Sequence, residues 1–198
     1  MAFTRFRALL ALLAVLLAAA GFGLGRLTAE PSAPGEGSVE VGFARDMIRH
    51  HEQAVLMAQL AYDHAEDPLV KAIGYDIALS QQHQIGMMTR WLEEWQVPAT
   101  GEAPPMAWMG HHESHAEGDD ALMPGMASPA QLDDLAEATG PSFETRFLEL
   151  MIDHHTAGVD MASYAAEHAS VDHVRTLAAG MVEAQRNEVV MMSDMLNN

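Results

Sequence analysis

Two pairs of adjacent histidines, His50-His51 and His154-His155, stand among methionines at helical spacing. Met47 lies three residues before His50 and Met57 seven after it. Met151 and Met161 hold the same positions around His154. Imidazole and thioether together form a donor set for soft or borderline ions, above all copper, as Cu(I) or Cu(II), with silver as a second choice. They do not suit Mg2+ or Ca2+, whose ligands are oxygens. The 198-residue chain has 15 Met and 11 His but no Cys. The lack of Cys excludes a disulfide scaffold, a thiolate zinc site, haem attachment through CxxCH and an iron–sulfur cluster. It also suits an oxidising compartment, where a thiol would be oxidised. Imidazole binds metal only when neutral, so affinity is expected to fall below about pH 6.5, the ordinary histidine value.

A second donor group lies between the pairs. Met106, Met109, His111, His112 and His115 fall in a polar stretch that reads as a capture segment for copper, although short His-rich tracts also take zinc and nickel. Weaker candidates are Gln81 with Met88 and Gln185 with Met192, and nearby Met87, Met181, Met191 and Met195. For these, packing and ligation weigh about equally. His83 and His173 have no counterparts and read as surface residues. A plainer account is that methionine fills gaps in cores and a Met stripe is usually packing. That account must also explain why His and Met recur together while outward positions differ.

The recurrence has a fixed offset. The segment opening at Phe43 matches the one opening at Phe147, 104 residues on, without gaps to Leu92 and Leu196, and sixteen of those fifty positions are identical. Phe43, Met47, His50, Ala54, Met57, Ala61 and His64 step by four and three, which is one seam of an amphipathic helix. The second seam is Phe147, Met151, His154, Gly158, Met161, Ala165 and His168. His64 and His168 therefore join the candidate ligands. His51 and His155 point about 100° away from their neighbours, onto the adjacent stripe. Asp67-Pro68 opens a second helix running to about Gln96. In the other copy, Ser170 or Asp172 is expected to cap a helix that nearly reaches Asn198. Two duplicated antiparallel helical hairpins make a four-helix bundle, and no stretch alternates with the period of a strand. The expected organisation is hairpin 39–96, a Met/His-rich crossover 97–141 and hairpin 142–198. Ser128-Pro129-Ala130-Gln131 opens a short helix in the crossover.

Residues 1–26 precede this all-α body. Arg5 and Arg7, an uncharged run from Ala8 to Gly25 and then Arg26 make an export signal or a membrane anchor helix. Residues 27–38 read as a spacer. The protein is expected to be exported and extracytoplasmic, touching a membrane only through that segment. Formal net charge is -18, and beyond Arg26 the chain carries 7 basic against 28 acidic residues. Such a surface argues against nucleic acid as a partner and concentrates cations. Metal ions are the expected partners, and a homo-oligomer stays open. A di-iron enzyme would need two Glu-x-x-His motifs. Here Met47 precedes His50 and Met151 precedes His154 where the Glu would stand. HExxH and GxSxG are also absent. No catalytic residue and no organic cofactor is expected.

The duplicated F-x3-MI-x-HH-x3-V-x-MA signature, the Q-x2-[QE]-[IV] of the second helices and the intervening MPGM resemble the bacterial domain of unknown function 305 family over residues 40–198. The resemblance implies a ferritin-like four-helix architecture. It implies candidate ligands at Met47, His50, His51, Met57, Met151, His154, His155 and Met161. CopM-type members of that family are exported and bind copper and silver in metal resistance. Position 84 is Gln where the family pattern has Glu. The reading is thus an exported, non-enzymatic protein that captures copper or silver for tolerance or transfer. The alternatives are a ferritin-like metal-dependent oxidoreductase and a structural bundle with a Met-rich core.

Overall fold

Four long helices carry the structure. The computed structural model describes residues 33–110 and 122–197. The expected signal or anchor, 1–26, lies outside the described residues, as do His111, His112 and His115. Among the described residues every regular element is helical, with no strand. None of those helices is long and apolar enough to cross a membrane. Helix α1 spans Val39–His64, α2 Pro68–Glu94, α3 Pro129–Glu137, α4 Pro141–His168 and α5 Asp172–Leu196, with a single 3-10 turn at Ala107–Met109. Ser38 caps α1. Asp67 caps α2 by accepting from the Leu69 amide at 2.7 Å, with Pro68 in the first turn. Ser128 and Gln131 form a reciprocal capping box on α3.

The hairpins pack through α1 and α4, which run antiparallel. The start of α1 (Phe43, Met47) shares an apolar cluster with the end of α4 (Met161, Ala162, Ala165) and with Met88 of α2. The end of α1 (Met57, Ala58, Ala61) shares another with the start of α4 (Phe147, Met151) and with Met192 of α5. Adding 104 to a residue number exchanges these two sets, so the sequence repeat is a pseudo-twofold axis in space. His50 and His154 lie between the two clusters. The crossover breaks the symmetry, because Met106, Met109, Met123 and Met126 all join the cluster at the start of α1.

The start of α5 departs from expectation. Neither Ser170 nor Asp172 caps it; the capping position is Val171, which makes no side-chain bond. The free amides there are taken by the other hairpin. The Glu40 carboxylate accepts from the Ser170 amide, from the Ser170 hydroxyl at 2.8 Å and from the Val171 amide at 3.2 Å. Asp172 pairs with Arg175 instead. The arrangement recurs across the axis, where Glu144 accepts from the amides of Glu66 and Asp67 at 2.9 and 2.7 Å. Glu40 and Glu144 are also 104 apart. Each first helix thus ties down the turn of the opposite hairpin. Burial pushes Glu40 up, but its hydrogen bonds win and hold it below the ordinary carboxylate value.

The crossover is clasped to α1 at two points. Asp46, buried, accepts from the Met106 amide at 2.7 Å and from the Trp108 indole at 2.8 Å. The amide group of Gln53 pairs with both backbone groups of Ala127, at 2.9 and 2.7 Å. Between these clasps the turn Met123-Pro124-Gly125-Met126 lies on α4. Gly125 has φ 75, and a Cβ there would come within 2.7 Å of the Asp153 carbonyl oxygen and 3.2 Å of the His154 Cα. Only glycine satisfies both the left-handed backbone and that approach.

Candidate metal centre

Four imidazoles occupy the middle of the bundle, none more than 1% exposed. One turn of α1 and one of α4 supply them, and the 100° between neighbours decides their directions. His50 and His154 face each other across the axis, with ring centres 3.7 Å apart and planes tilted by 34°. His51 and His155 turn toward the second helix of their own hairpins. Nε2 of His51 lies 2.7 Å from Oε1 of Gln84, which accepts the ring proton. Nε2 of His155 lies 2.8 Å from Oε2 of Glu188. The ring centres of His154 and His155 are 6.2 Å apart.

These partners leave a specific set of atoms over. Both ring nitrogens of His50, Nδ1 of His51, Nε2 of His154 and Nδ1 of His155 are buried without a hydrogen-bond partner. So are Oε1 of Gln81 and Oε1 of Gln185. A proton held on Nε2 of His51 by Gln84 leaves Nδ1 with a free lone pair, the form in which imidazole ligates a metal. Gln185 reaches far inward: a Cβ on Gly158 would lie 2.4 Å from its Oε1. That approach explains why α4 has glycine where α1 has Ala54.

Burial also sets the protonation state. His50 is pushed down to about 4, chiefly by desolvation; the Pro124 carbonyl opposes this from beyond hydrogen-bond geometry, and His155 adds to it. His51 is pushed down to about 3 by desolvation and then by His50, against the Gln84 bond. His154 lies well below its ordinary value for the same leading reason, with His50 next. These rings stay neutral well below pH 6.5. The acid limit expected from ordinary histidine therefore moves downward for a folded site.

The other sequence candidates separate. Met47, Met57, Met151 and Met161 are fully buried and flank the histidines in the two apolar clusters. Met106 is buried near Met47, and Met109 packs against the same cluster. His64 and His168 do not join the centre. They are exposed at the C-terminal ends of their helices, His64 beside Phe143 at 5.6 Å and His168 stacked on Tyr164 at 4.0 Å. Fourteen residues separate each from its central histidine, about 21 Å of helix. A repeat of 3.5 drifts about 20° per heptad off a straight helix, and the seam turns away from the core. Among the described residues, no three His, Cys, Asp or Glu side chains already converge as a metal site. The tilted His50–His154 pair is a packing contact, not a coordination geometry. Sequence reasoning gave Gln81 and Gln185 little weight and did not single out Glu40, Glu144, Asp46 or Gln53. The 104-residue offset alone flags Glu40 with Glu144.

The model for the domain of unknown function DUF305 matches residues 40–196, and the chain belongs to that family. The chain is 40% identical to a putative secreted DUF305 protein from Streptomyces coelicolor, with TM-score 0.76 over 82% of this chain and 94% of that one. A DUF305 fragment from Deinococcus radiodurans is 29% identical, with TM-score 0.68 over 84% and 99%. CopM in its Cu(I)-bound form is 26% identical, with TM-score 0.63 over 80% and 96%. No curated protein matches the chain.

Proposed function

We propose that this member of the DUF305 family is an exported protein that captures copper, with silver as a substitute, and holds it as cargo without catalytic turnover. The observation that carries the reading is the set of buried, unpartnered imidazole nitrogens where the two hairpins meet. The donor set fits the ion: imidazoles in the middle and thioethers at Met47, Met57, Met151 and Met161 on either side. CopM, a similar fold, has been obtained in a Cu(I)-bound form. The description of the Streptomyces protein as a putative secreted one and the charge order of residues 1–26 support export. Tolerance or transfer needs only reversible capture. No carboxylate pair in the centre supplies acid–base chemistry, and Glu188 is committed to His155.

The test is a titration of the full chain with Cu(I) and with Ag(I), read by native mass spectrometry against competing chelators. The same titration is run on His50→Asn, His51→Asn, His154→Asn and His155→Asn combined, with helical content checked by circular dichroism. Wild type is expected to hold metal against chelators that strip the variant. Equal retention by a folded variant would overturn the reading. Oxygen or peroxide consumption by the loaded protein would replace capture with an oxidoreductase.

A further inference from the structure

The two halves of the centre differ in the side chains that surround them, while Gln84 and Glu188 are both partly exposed. On one side, the N-terminal part of α2 and the C-terminal part of α5 form a cleft of about 220 Å3 lined by Leu69, Ala72, Asp76, Glu188, Met191 and Met195, with Ile73 at its base. Glu188, Met191 and Met195 follow one another at helical spacing on one face of α5. Met191 is 50% exposed. The Glu188 side chain is 22% exposed at one end and hydrogen-bonded at the other to His155, which is fully buried and has an unpartnered Nδ1. One carboxylate therefore spans from solvent to the buried imidazoles.

The pseudo-twofold axis supplies an internal control. The residues equivalent to Glu188, Met191 and Met195 are Gln84, Met87 and Trp91, and the equivalent of Leu69 is His173. There Trp91 is buried, His173 lies over it at 4.9 Å and Trp95 stacks alongside at 6.3 Å. Met87 packs against the apolar cluster there, as Met195 does against the other one. The acidic positions are gone, since Gln84 replaces Glu188 and Gly180 stands opposite Asp76. One side is capped by aromatic rings; the other carries two carboxylates and two thioethers around a cleft.

We propose that the cleft between α2 and α5 is the single loading port of the buried histidine centre, where Asp76, Met191 and Met195 receive a soft monovalent cation and Glu188 positions His155 for its inward transfer. The inference rests on the capture reading above and adds a route and a direction to it. The carboxylates draw the cation to the cleft. The thioethers exchange soft ions readily and hold them weakly enough to pass them to imidazole. Glu188 touches both surfaces, so a shift of its side chain would link them.

The experiment uses the full chain. Loading with Cu(I) from a chromophoric chelator is followed by stopped flow, and Ag(I) is followed by 13C NMR of the methionine methyl groups. The port variant is Asp76→Asn with Met191→Leu and Met195→Leu; the opposite-side control is Met87→Leu. The port variant is expected to load about tenfold more slowly, the low end of what charge focusing gives on-rates, and to reach the same final stoichiometry. Met87→Leu is expected to load at the wild-type rate. In wild type the Met191 and Met195 methyl signals should stay in place at the lowest Ag(I) additions and move only once the histidine centre is filled, because a weaker port is occupied last at equilibrium. Unchanged loading in the port variant, or equal slowing by Met87→Leu, would overturn the port. A lower final stoichiometry would make Met191 and Met195 resident ligands and also overturn it. If wild type takes up no metal, the capture reading itself fails, a result distinct from a port failure.

Discussion

Acidifying the metal-free protein should destabilise it well above the carboxylate range, and the size of the effect follows from the buried imidazoles. His50 sits at about 4 and His51 at about 3 in the fold, against 6.5 when exposed. Below pH 6.5 the unfolded chain takes up protons that the folded chain refuses, so stability is full above 6.5 and falls as pH drops toward the folded values. At 1.36 kcal/mol per pH unit, each ring removes about 2 kcal/mol at pH 5, and the two together about 4 kcal/mol. His154, displaced in the same direction, adds to the loss. Against a total stability of about 5–15 kcal/mol this is a large fraction. It corresponds to a drop in Tm of roughly 8–16 °C for a domain of this size. Other shifted groups do not imitate the effect. Glu40 is held below its ordinary value and weakens the fold only at more acidic pH. Asp46, raised mainly by burial, works in the opposite sense. Calorimetric melts with chelator present at pH 7.5, 6.5, 5.5 and 5.0 measure the slope. The variant His50→Leu with His154→Leu should melt with a shallower dependence. A wild-type Tm that stays flat between pH 7.5 and 5 would refute the reasoning, because neutral buried rings cannot coexist with it.

Three further outcomes are expected. Glu40→Ala should lower stability by about 2–3 kcal/mol in urea unfolding, because it strips a charged acceptor from Ser170 and Val171 in a partly buried turn, while Glu144→Ala in its more exposed setting should cost about 1 kcal/mol. Gly125→Ala should cost about 1–3 kcal/mol, since the new Cβ meets both a left-handed backbone and the α4 surface beneath it; thermal melts check this. Ag(I) at about a hundred times its Kd should raise stability by about 2.7 kcal/mol in wild type. The same addition should leave the combined four-histidine Asn variant unmoved in the same melts.

The hairpins and the pseudo-twofold axis could be read from the chain, because one offset and one 3.6-residue period specify them. The pairing of α1 with α4 does not follow from the chain alone; the likeness of the seams bearing His50 and His154 is compatible with it but does not require it. What could not be read depends on tertiary neighbours. Ser170 has the chemistry of a cap, but Glu40, 130 residues away, takes its amide. Asp46 looks like an ordinary surface acid until Met106 and Trp108 fold onto it. His64 and His168 share the seam in projection and leave it in space, because heptad register decays along a straight helix. The difference between Gln84 and Glu188 is visible in the sequence. Its meaning is not, until Glu188 is seen at a cleft and the equivalent positions on the other side hold Trp91 against His173.

The buried centre also bears on whether packing alone accounts for the seam. Seven polar atoms there lack partners, and each such atom costs about 1–3 kcal/mol. Left unanswered, the set would cost on the order of 7–20 kcal/mol, comparable to the entire stability of a domain. Leucine or isoleucine at these positions would fill the same space without that penalty, so a purely structural seam gives no reason for four histidines. Nor can protons answer the deficit at His50, His51 and His154, because burial drives those rings toward neutrality and a charge on one raises the cost of a charge on the next. A neutral ring presents one N–H and one bare nitrogen. Gln84 and Glu188 already engage Nε2 of His51 and His155. Gln81 and Gln185 each hold an unanswered oxygen in the same buried region. Each neutral ring still leaves one bare nitrogen, and a Lewis acid answers a bare nitrogen that no N–H or O–H reaches. Between two clusters of thioethers, a soft cation meets that requirement best.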